Sequence, residues 1–336
     1  MSDELTPSLR IPCLLSNIPT VSPDGKVLAA AAWIDKSINI YDARTGKQVA
    51  RLDDYEVPCS IGFSPDGSTL APCGWFSSTR VWDAKTWKVK TDFGHPAQDV
   101  CYAPDGKSIA VAHKKSITVY DLASGKPKTT FQDKRRLDMV RFTPDGKMLA
   151  TGPGKETKFW NAKSGASAGS VVHKGDIMDM CFSPDGKTLA TGGGGHGATL
   201  WNMKSLAPLV LKHEELVCGI EFSPDGKRVV TGSFDGCVRV WEAGTGKLVT
   251  ELAPGADYIF HVTFSPSGKH LIALNDGGQA ILWETKNWQR LGSVSKPANS
   301  TNPMQPANYE PACPAWFPNG KRFAVGGGNE LTVYDV

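Results

Sequence analysis

The sequence lacks several features that would assign a protein class at once. No apolar run approaches the roughly 18 residues that a membrane-spanning helix needs. The first residues contain no basic segment followed by an apolar core, so no secretory signal is expected. Charged residues make up only 21% of the 336 residues, and the formal net charge is +3. This balance favours neither a disordered chain nor a nucleic-acid-binding protein, and we expect a folded cytoplasmic protein with no membrane partner.

Cysteine and histidine give little indication of cross-links or of a metal site. None of the eight cysteines forms a C-x-x-C pair, and the seven histidines have no zinc-type spacing. We interpret the cysteines as free thiols of a reducing compartment, with disulfides and metal ligation as the alternatives. No cofactor and no metal are expected, although ligands gathered from distant parts of the chain would not show in such spacing. The cysteines are Cys13, Cys59, Cys73, Cys101, Cys181, Cys218, Cys237 and Cys313.

Turn-forming residues are abundant instead, with 35 glycines and 23 prolines. Their use is clearest between His213 and Leu252, where four short apolar runs alternate with turn sequences. The turn Ser223-Pro224-Asp225-Gly226 suits a type I turn, and an Asp-Gly pair between β-rich runs is typical of a hairpin. The stretch therefore predicts four antiparallel strands in a meander. They are predicted at Val217–Phe222, Arg228–Ser233, Cys237–Trp241 and Lys247–Leu252.

The same unit recurs eight times, at intervals of 39 to 42 residues with a final interval of 52. Each unit has a proline turn and then an aromatic residue followed by a polar one. The turns are Ser22–Gly25, Ser64–Gly67, Ala103–Gly106, Thr143–Gly146, Ser183–Gly186, Ser223–Gly226, Ser265–Gly268 and Phe317–Gly320. The pairs are Tyr41-Asp42, Trp82-Asp83, Tyr120-Asp121, Trp160-Asn161, Trp201-Asn202, Trp241-Glu242, Trp283-Glu284 and Tyr334-Asp335.

With these units the chain resembles the WD40 family of β-propellers over essentially all 336 residues. The resemblance implies an all-β fold, with residues 1–336 forming one eight-bladed β-propeller of four-stranded antiparallel blades. Seven blades with one degenerate unit left over is the alternative. The last unit ends with its third strand, so we predict that residues 4–10 supply the outer strand of the last blade and close the ring. Residues 295–311 are predicted to form a long loop on the top face.

The family resemblance also implies a hydrogen-bonded tetrad in unit six, formed by His213, Ser233, Asp235 and Trp241. Its role is structural, because a buried Asp needs donors that offset its desolvation. Two other motifs do not indicate catalysis. The segments 165–169 and 192–197 match a hydrolase nucleophile elbow and a dinucleotide fingerprint, but both motifs require a helix that a β-hairpin does not provide.

In the family, binding residues lie at two positions of the first strand and just before the turn Asp. Carried over, these positions predict a docking surface for an unidentified protein or peptide on the top face, with large apolar side chains inside a charged rim. The alternative is that some of the rings pack into the channel mouth. The predicted partner-binding residues are Trp75, His113, Arg136, Asp138, Asp176, Met178, Leu216, Phe234, Tyr258, Phe260 and Asp276, with Val57, Cys59, Gln98 and Cys218 at further equivalent positions.

Two other functions stay open. One is an enzyme with a site at the central channel. The other is an anionic partner held by lysines of the bottom-face turns, although aspartates share those turns and favour a role in solubility. We expect a non-catalytic, monomeric scaffold. The lysines are Lys26, Lys47, Lys85, Lys107, Lys126, Lys147, Lys163, Lys187, Lys204, Lys227, Lys247, Lys269 and Lys321, and the aspartates are Asp24, Asp66, Asp105, Asp145, Asp185 and Asp225.

Overall fold

Short β-strands joined by turns make up the part of the chain whose structure is described. The computed structural model describes residues 4–13, 16–32, 36–55, 58–152, 154–195, 197–252, 258–294, 314–327 and 330–336. These residues form 32 strands and no helix, so none of them forms a helix long and apolar enough to cross a membrane. The predicted loop at 295–311, together with Val57 and Cys313, lies outside the described residues.

The chain divides into two compact units. We call Thr20–His173 the 20–173 unit, and Met1–Pro19 with Lys174–Val336 the 174–336 unit. The strands up to residue 173 are β1 (Leu9–Pro12), β2 (Ser16–Val21), β3 (Val27–Ala32), β4 (Ser37–Asp42), β5 (Gln48–Leu52), β6 (Pro58–Phe63), β7 (Thr69–Gly74), β8 (Arg80–Asp83), β9 (Val89–Asp92), β10 (Asp99–Tyr102), β11 (Ser108–His113), β12 (Ser116–Asp121), β13 (Pro127–Gln132), β14 (Met139–Phe142), β15 (Met148–Gly152), β16 (Glu156–Asn161) and β17 (Ser167–Val172).

The remaining strands follow the same pattern. They are β18 (Ile177–Phe182), β19 (Thr188–Gly193), β20 (Gly197–Asn202), β21 (Pro208–Lys212), β22 (Val217–Phe222), β23 (Arg228–Ser233), β24 (Val238–Glu242), β25 (Leu248–Leu252), β26 (Ile259–Phe264), β27 (His270–Asn275), β28 (Ala280–Glu284), β29 (Arg290–Val294), β30 (Ala315–Trp316), β31 (Arg322–Gly327) and β32 (Glu330–Asp335). From β2 to β29, each four consecutive strands form one antiparallel sheet in chain order, and the last sheet has the order β1-β32-β31-β30.

The N-terminal strand completes the last sheet, as predicted, but with different bounds. The prediction placed it at residues 4–10, whereas the ladder with β32 extends from Leu9 to Pro12. The physical reason is that Ile11 is the apolar residue buried there, opposite Leu331, while Pro7 has no N–H to donate to a ladder. The preceding backbone pairs with another strand, because the Leu5 N–H donates to the Ser293 carbonyl of β29 at 2.8 Å.

Successive sheets within a unit are joined by apolar side chains. Between the sheets β18–β21 and β22–β25, Leu200 and Leu211 belong to one buried cluster with Phe222 and Trp241. Fully burying a side chain of this size contributes about 1.5–3 kcal/mol, so these clusters provide most of the stabilisation of each sheet pair. Burial also raises the pKa of the Cys101 thiol, so less of it is present as the reactive thiolate.

The proline turns form the same hydrogen bonds in most units. In unit six the Ser223 Oγ donates to Asp225 Oδ1 at 2.6 Å and accepts from the Arg228 N–H at 2.9 Å. The Gly226 N–H donates to the Ser223 carbonyl at 2.8 Å, with a Gly226 φ of 70°. That φ lies in the left-handed region, which explains why the fourth turn residue is glycine.

The Gly226→Ala variant is therefore expected to lower the free energy of unfolding by about 1 kcal/mol, because alanine must adopt the left-handed conformation. The added Cβ would lie 3.5 Å from the Pro184 ring, an ordinary contact, so backbone strain is the main cause. Gly244→Ala is the matched control, since a Cβ there meets nothing within 4 Å and φ lies outside the left-handed region. Urea denaturation midpoints measure the difference, and equal midpoints would contradict strain at Gly226.

Candidate functional site

Unit six contains a buried hydrogen-bond network centred on Thr231. The Trp241 Nε1–H donates to Thr231 Oγ1 at 2.8 Å, and Thr231 Oγ1 lies 2.7 Å from His213 Nε2. The other ring nitrogen, His213 Nδ1, lies 2.9 Å from Asp235 Oδ2. Arg239 Nη1 donates to the same carboxylate oxygen at 2.7 Å. The network links the segment after β21 to β23, to the β23–β24 turn and to β24.

The charges of this network are set by burial and by pairing. Burial lowers the pKa of His213 against the opposing effect of Asp235, so the ring is neutral near pH 7. Burial alone would raise the pKa of Asp235, but its interactions with His213, the Cys237 N–H and Arg239 lower that pKa to about 2. A neutral His beside a permanent Asp–Arg pair supports a structural role, since the tryptophan at the other end is not a nucleophile.

The predicted tetrad was wrong at one member, because Thr231 takes the place assigned to Ser233. Ser233 Oγ instead donates to the Leu216 carbonyl at 2.9 Å and accepts from the Asp235 N–H at 3.1 Å. Both hydroxyls lie on the same side of β23, but Thr231 pairs with Arg239 in the ladder and so lies nearer to Trp241.

A sequence signal for Thr231 was present in the neighbouring units. Trp201 Nε1 donates to Thr191 Oγ1 at 3.0 Å, and Trp160 Nε1 donates to Thr151 Oγ1 at 2.9 Å. The threonine lies ten residues before the tryptophan in units five and six, and nine before it in unit four, where the hairpin is shorter. Alignment of the units on this threonine identifies the correct hydroxyl.

Three predicted binding residues of the 174–336 unit form one aromatic cluster, which we define as Phe234, Tyr258 and Phe260. The rings of Phe234 and Tyr258 stack with centroids 4.6 Å apart and an angle of 20°, and Phe260 meets Phe234 edge-on at 5.1 Å. Tyr258 is 49% exposed. Backbone bonds hold the cluster in place. Phe234 N–H donates to the Leu216 carbonyl, and Asp276 N–H donates to the Tyr258 carbonyl, each at 2.9 Å.

The first strands of these sheets carry a β-bulge at predicted binding positions. In the pairing of β26 with β27 the register shifts between Ile259 and His261, so Phe260 is the extra residue. Met178 in β18 and Cys218 in β22 occupy the same place. A bulge leaves its residue outside the ladder and re-aims the side chain. This explains why Met178 is 47% exposed, whereas Met180, two residues further along the same strand, is buried. Asp176, just before this strand, is also exposed.

The other predicted positions lie together in the 20–173 unit, around a groove of about 690 Å³. The Arg136 guanidinium lies 4.7 Å from the centre of the Trp75 ring and pairs with Asp138 at 2.5 Å. His113 Nδ1 lies 2.5 Å from the Pro96 carbonyl oxygen. The residues that line the groove include Trp75, Phe76, Pro96, Gln98, His113, Lys114, Lys115 and Arg136. Phe76, which was not among the predicted binding residues, is 70% exposed. The Cys59 side chain lies outside the described residues.

A row of acidic residues in first strands also escaped the sequence analysis. Asp179 Oδ2 accepts from the Ile220 N–H at 3.1 Å, and Glu221 Oε2 accepts from the Phe264 N–H at 2.6 Å. Each bond joins the first strand of one sheet to the first strand of the next. Asp99 does the same in the 20–173 unit, where its Oδ2 accepts from Val140 N–H at 3.0 Å. The signal is an acidic residue inside an otherwise apolar strand.

The structure offers little support for the two other functions that the sequence left open. Among the side chains that the structure describes, no group of three or more His, Cys, Asp or Glu is arranged to hold a metal ion. The turn lysines are partly neutralised, because Lys26, Lys147 and Lys187 pair with the aspartates of their own turns. The Nζ–Oδ2 distances are 3.4, 3.3 and 3.3 Å.

Comparison with known proteins bears on the class of the fold. Residues 169–202 and 208–242 match the WD40 family model, described as "WD domain, G-beta repeat". The chain superposes on the C-terminal WD40 domain of Sif2 with a TM-score of 0.83, covering 100% of this chain and 99% of that one at 17% identity. The fold is therefore that of a WD40 β-propeller. The predicted resemblance and the all-β, eight-bladed architecture are confirmed.

Similar segments occur in three curated proteins. The chain is 32% identical over 106 residues to the Periodic tryptophan protein 2 homolog of Mus musculus, and this match covers 30% of this chain and 12% of that protein. It is 28% identical over 109 residues to the WD repeat-containing protein VIP3 of Arabidopsis thaliana, covering 31% and 34%. It is 26% identical over 115 residues to the Small ribosomal subunit protein RACK1y of Oryza sativa subsp. japonica, covering 33% of each. The similar region thus spans about a third or less of each relative.

Proposed function

We propose that this protein is a non-catalytic, monomeric cytoplasmic scaffold that binds a segment of a partner protein through its aromatic cluster. The observation that carries the proposal is the stacked arrangement of Phe234, Tyr258 and Phe260 at the surface, with Tyr258 half exposed. Aromatic rings provide a large apolar contact area with few rotatable bonds, which is why they dominate binding energy at protein interfaces.

The cluster is held in place before any partner arrives. Phe234 directly precedes Asp235, whose carboxylate is fixed by His213 and Arg239. The structural network therefore also fixes the turn that carries one of the three rings. A preorganised surface loses less conformational entropy on binding, so more of the contact energy appears as affinity.

The surroundings of the cluster suit a mixed apolar and polar partner segment. Leu216 is half-buried beside the cluster, and Asp276 adds an exposed carboxylate at its edge. A related protein, by its name, belongs to the small ribosomal subunit. That name supports the idea that chains with such repeats work within assemblies, and we place this chain in the same general class of role.

The Phe234→Ala/Tyr258→Ala variant is expected to lose most of its partner binding. Hot-spot aromatic residues cost about 2 kcal/mol or more on truncation, which corresponds to a loss of affinity of at least about thirtyfold. Immobilised wild type and variant would be incubated with the same lysate, and the captured proteins quantified by mass spectrometry. Retained protein should fall sharply for the variant, while its thermal midpoint stays close to that of wild type.

The control variant is Val210→Ala/Leu248→Ala, which removes two exposed apolar side chains of the outer strands β21 and β25. It tests whether any loss of surface apolar area has the same effect. Equal capture by wild type and the aromatic variant would contradict the aromatic cluster as the docking site. If wild type captures nothing beyond a bare matrix, the scaffold function itself is wrong.

A further inference from the structure

We propose that the groove of the 20–173 unit binds an acidic segment of a partner protein, in which Asp or Glu residues flank one large apolar side chain. This inference rests on the proposed scaffold function, but it concerns a second surface and names the chemistry of its partner. It is carried by three features of the groove: an exposed apolar floor, an unbalanced positive rim, and a rim backbone that is fixed in advance.

The floor of the groove is apolar and accessible. Trp75 is 46% exposed and Phe76 is 70% exposed, and both follow β7 at the tip of its hairpin. Pro96 lines the same groove, whose volume is about 690 Å³. Pockets of about 300–1,000 Å³ hold drug-sized ligands, so this groove has room for one large side chain. Exposed rings of this size bind best to an apolar anchor, so the partner segment should carry one.

The rim of the groove is positively charged. Lys114, Lys115 and Arg136 line it, and no carboxylate does so among the lining residues that the structure describes. Within the described ranges, neither lysine has a carboxylate within ion-pair distance, and the nearby Asp133 pairs instead with Lys158 at 2.7 Å.

Arg136 and His113 add little to the net charge of the rim. The partner of Arg136, Asp138, is 46% exposed, so solvent weakens that pair. Burial lowers the pKa of His113, which leaves its ring neutral near pH 7. The unbalanced charge therefore comes mainly from the two lysines, and a negatively charged segment is the complementary partner.

The backbone that presents the two lysines is held rigidly. Lys114 has a φ of 53°, an unusual conformation for a residue with a side chain. Gln98 Oε1 accepts from the Lys114 N–H at 2.7 Å, and the Lys114 carbonyl accepts from the Leu137 N–H at 2.7 Å. The Lys115 carbonyl accepts from the Asp133 N–H at 2.8 Å. These bonds keep the hairpin tip in a strained conformation with both lysines at the groove edge.

Fluorescence polarisation with a matched peptide set tests the proposal. The probe is a labelled peptide with a central Trp between pairs of Glu, and its counterparts carry Gln or Lys in place of Glu, or Ala in place of Trp. The Glu–Trp peptide should bind about tenfold more tightly than each counterpart. The Lys114→Gln/Lys115→Gln variant should lose about tenfold in affinity for it. The matched control is Lys85→Gln/Lys88→Gln, which removes the same charge from exposed positions in the turn between β8 and β9 and should bind like wild type.

Three outcomes overturn the proposal. The Glu–Trp peptide could bind no better than its Gln counterpart, its affinity could survive the loss of Lys114 and Lys115, or a short single-stranded DNA could bind more tightly than the peptide. The Phe234→Ala/Tyr258→Ala variant separates this proposal from the scaffold function. If it keeps the peptide while lysate capture is independent of the aromatic cluster, only the cluster proposal fails. If capture depends on the cluster but the peptide does not bind, only the groove proposal fails.

Discussion

Replacement of Thr231 by valine should lower the free energy of unfolding by about 3 kcal/mol, the largest effect of any single methyl-for-hydroxyl exchange in unit six. Valine has the shape of threonine but cannot accept from Trp241 Nε1 or bond to His213 Nε2. Both groups are buried, so each would lose its partner without gaining water. The midpoint of urea denaturation of the whole chain measures the effect.

Ser233→Ala is the natural control, because the sequence analysis assigned Ser233 the role that Thr231 has. The hydroxyl of Ser233 bonds to two backbone groups, the Leu216 carbonyl and the Asp235 N–H, so its loss should cost about 1 kcal/mol. A Ser233→Ala cost equal to or larger than that of Thr231→Val would contradict the network centred on Thr231. A loss of near-ultraviolet circular dichroism confined to Thr231→Val would show that Trp241 has changed its surroundings.

Glu221→Gln should stabilise the protein at alkaline pH and have little effect at acidic pH. Desolvation, with help from the nearby Asp179 charge, raises the pKa of Glu221 to about 8 from an unperturbed 4.5. Because the folded pKa is raised, the stabilising contribution of the protonated carboxyl is complete below about pH 4.5 and is lost as pH rises through about 8. The total loss is on the order of several kcal/mol, at about 1.4 kcal/mol per pKa unit.

Glutamine keeps an acceptor for the Phe264 N–H and has no charge to bury. The thermal midpoint of Glu221→Gln minus that of wild type should therefore increase between about pH 5 and pH 8 and level off above that pH. Glu215→Gln, which changes an exposed carboxyl of the same unit, gives the control for the change in net charge. A difference that stays constant with pH would contradict a buried, protonated Glu221.

Much of the fold could be predicted because its turns repeat. The predicted strands Val217–Phe222 and Arg228–Ser233 match β22 and β23 residue for residue. Turn residues act locally, through a fixed proline φ and a glycine that adopts the left-handed region, so their positions determine where strands begin and end. The eight-bladed count followed from the same repetition.

What the sequence could not provide depends on side-chain reach and on pairing between distant segments. Ser233 and Thr231 are chemically equivalent in a period-two strand, and only the ladder position shows which hydroxyl meets Trp241. The prediction placed the N-terminal strand too early, because counting back from a repeat position ignores where an apolar residue such as Ile11 can be buried. The bond from Glu221 to Phe264 spans 43 positions, and no local pattern predicts it.

The candidate binding residues could also be predicted only in part from the sequence. Repeat alignment identified Phe234, Tyr258 and Phe260 separately, but their stacking depends on the bulge that re-aims Phe260. The groove beside Trp75 was harder to predict, because Lys114 stands where the repeat pattern has a turn aspartate. The binding features that are specific to this chain therefore lie where its sequence departs from the repeat pattern.

The pairing of β1 with β32 has a consequence for how the chain comes to be folded. Arg10 and Glu330, joined across this pair, are separated by 320 positions in sequence. During synthesis on the ribosome, the segment around Ile11 emerges early and must wait, with its ladder unmatched, until the strand that it pairs with has been translated. Closure of the last sheet is thus a long-range folding event, and the unmatched segment is available to chaperones until β32 has emerged.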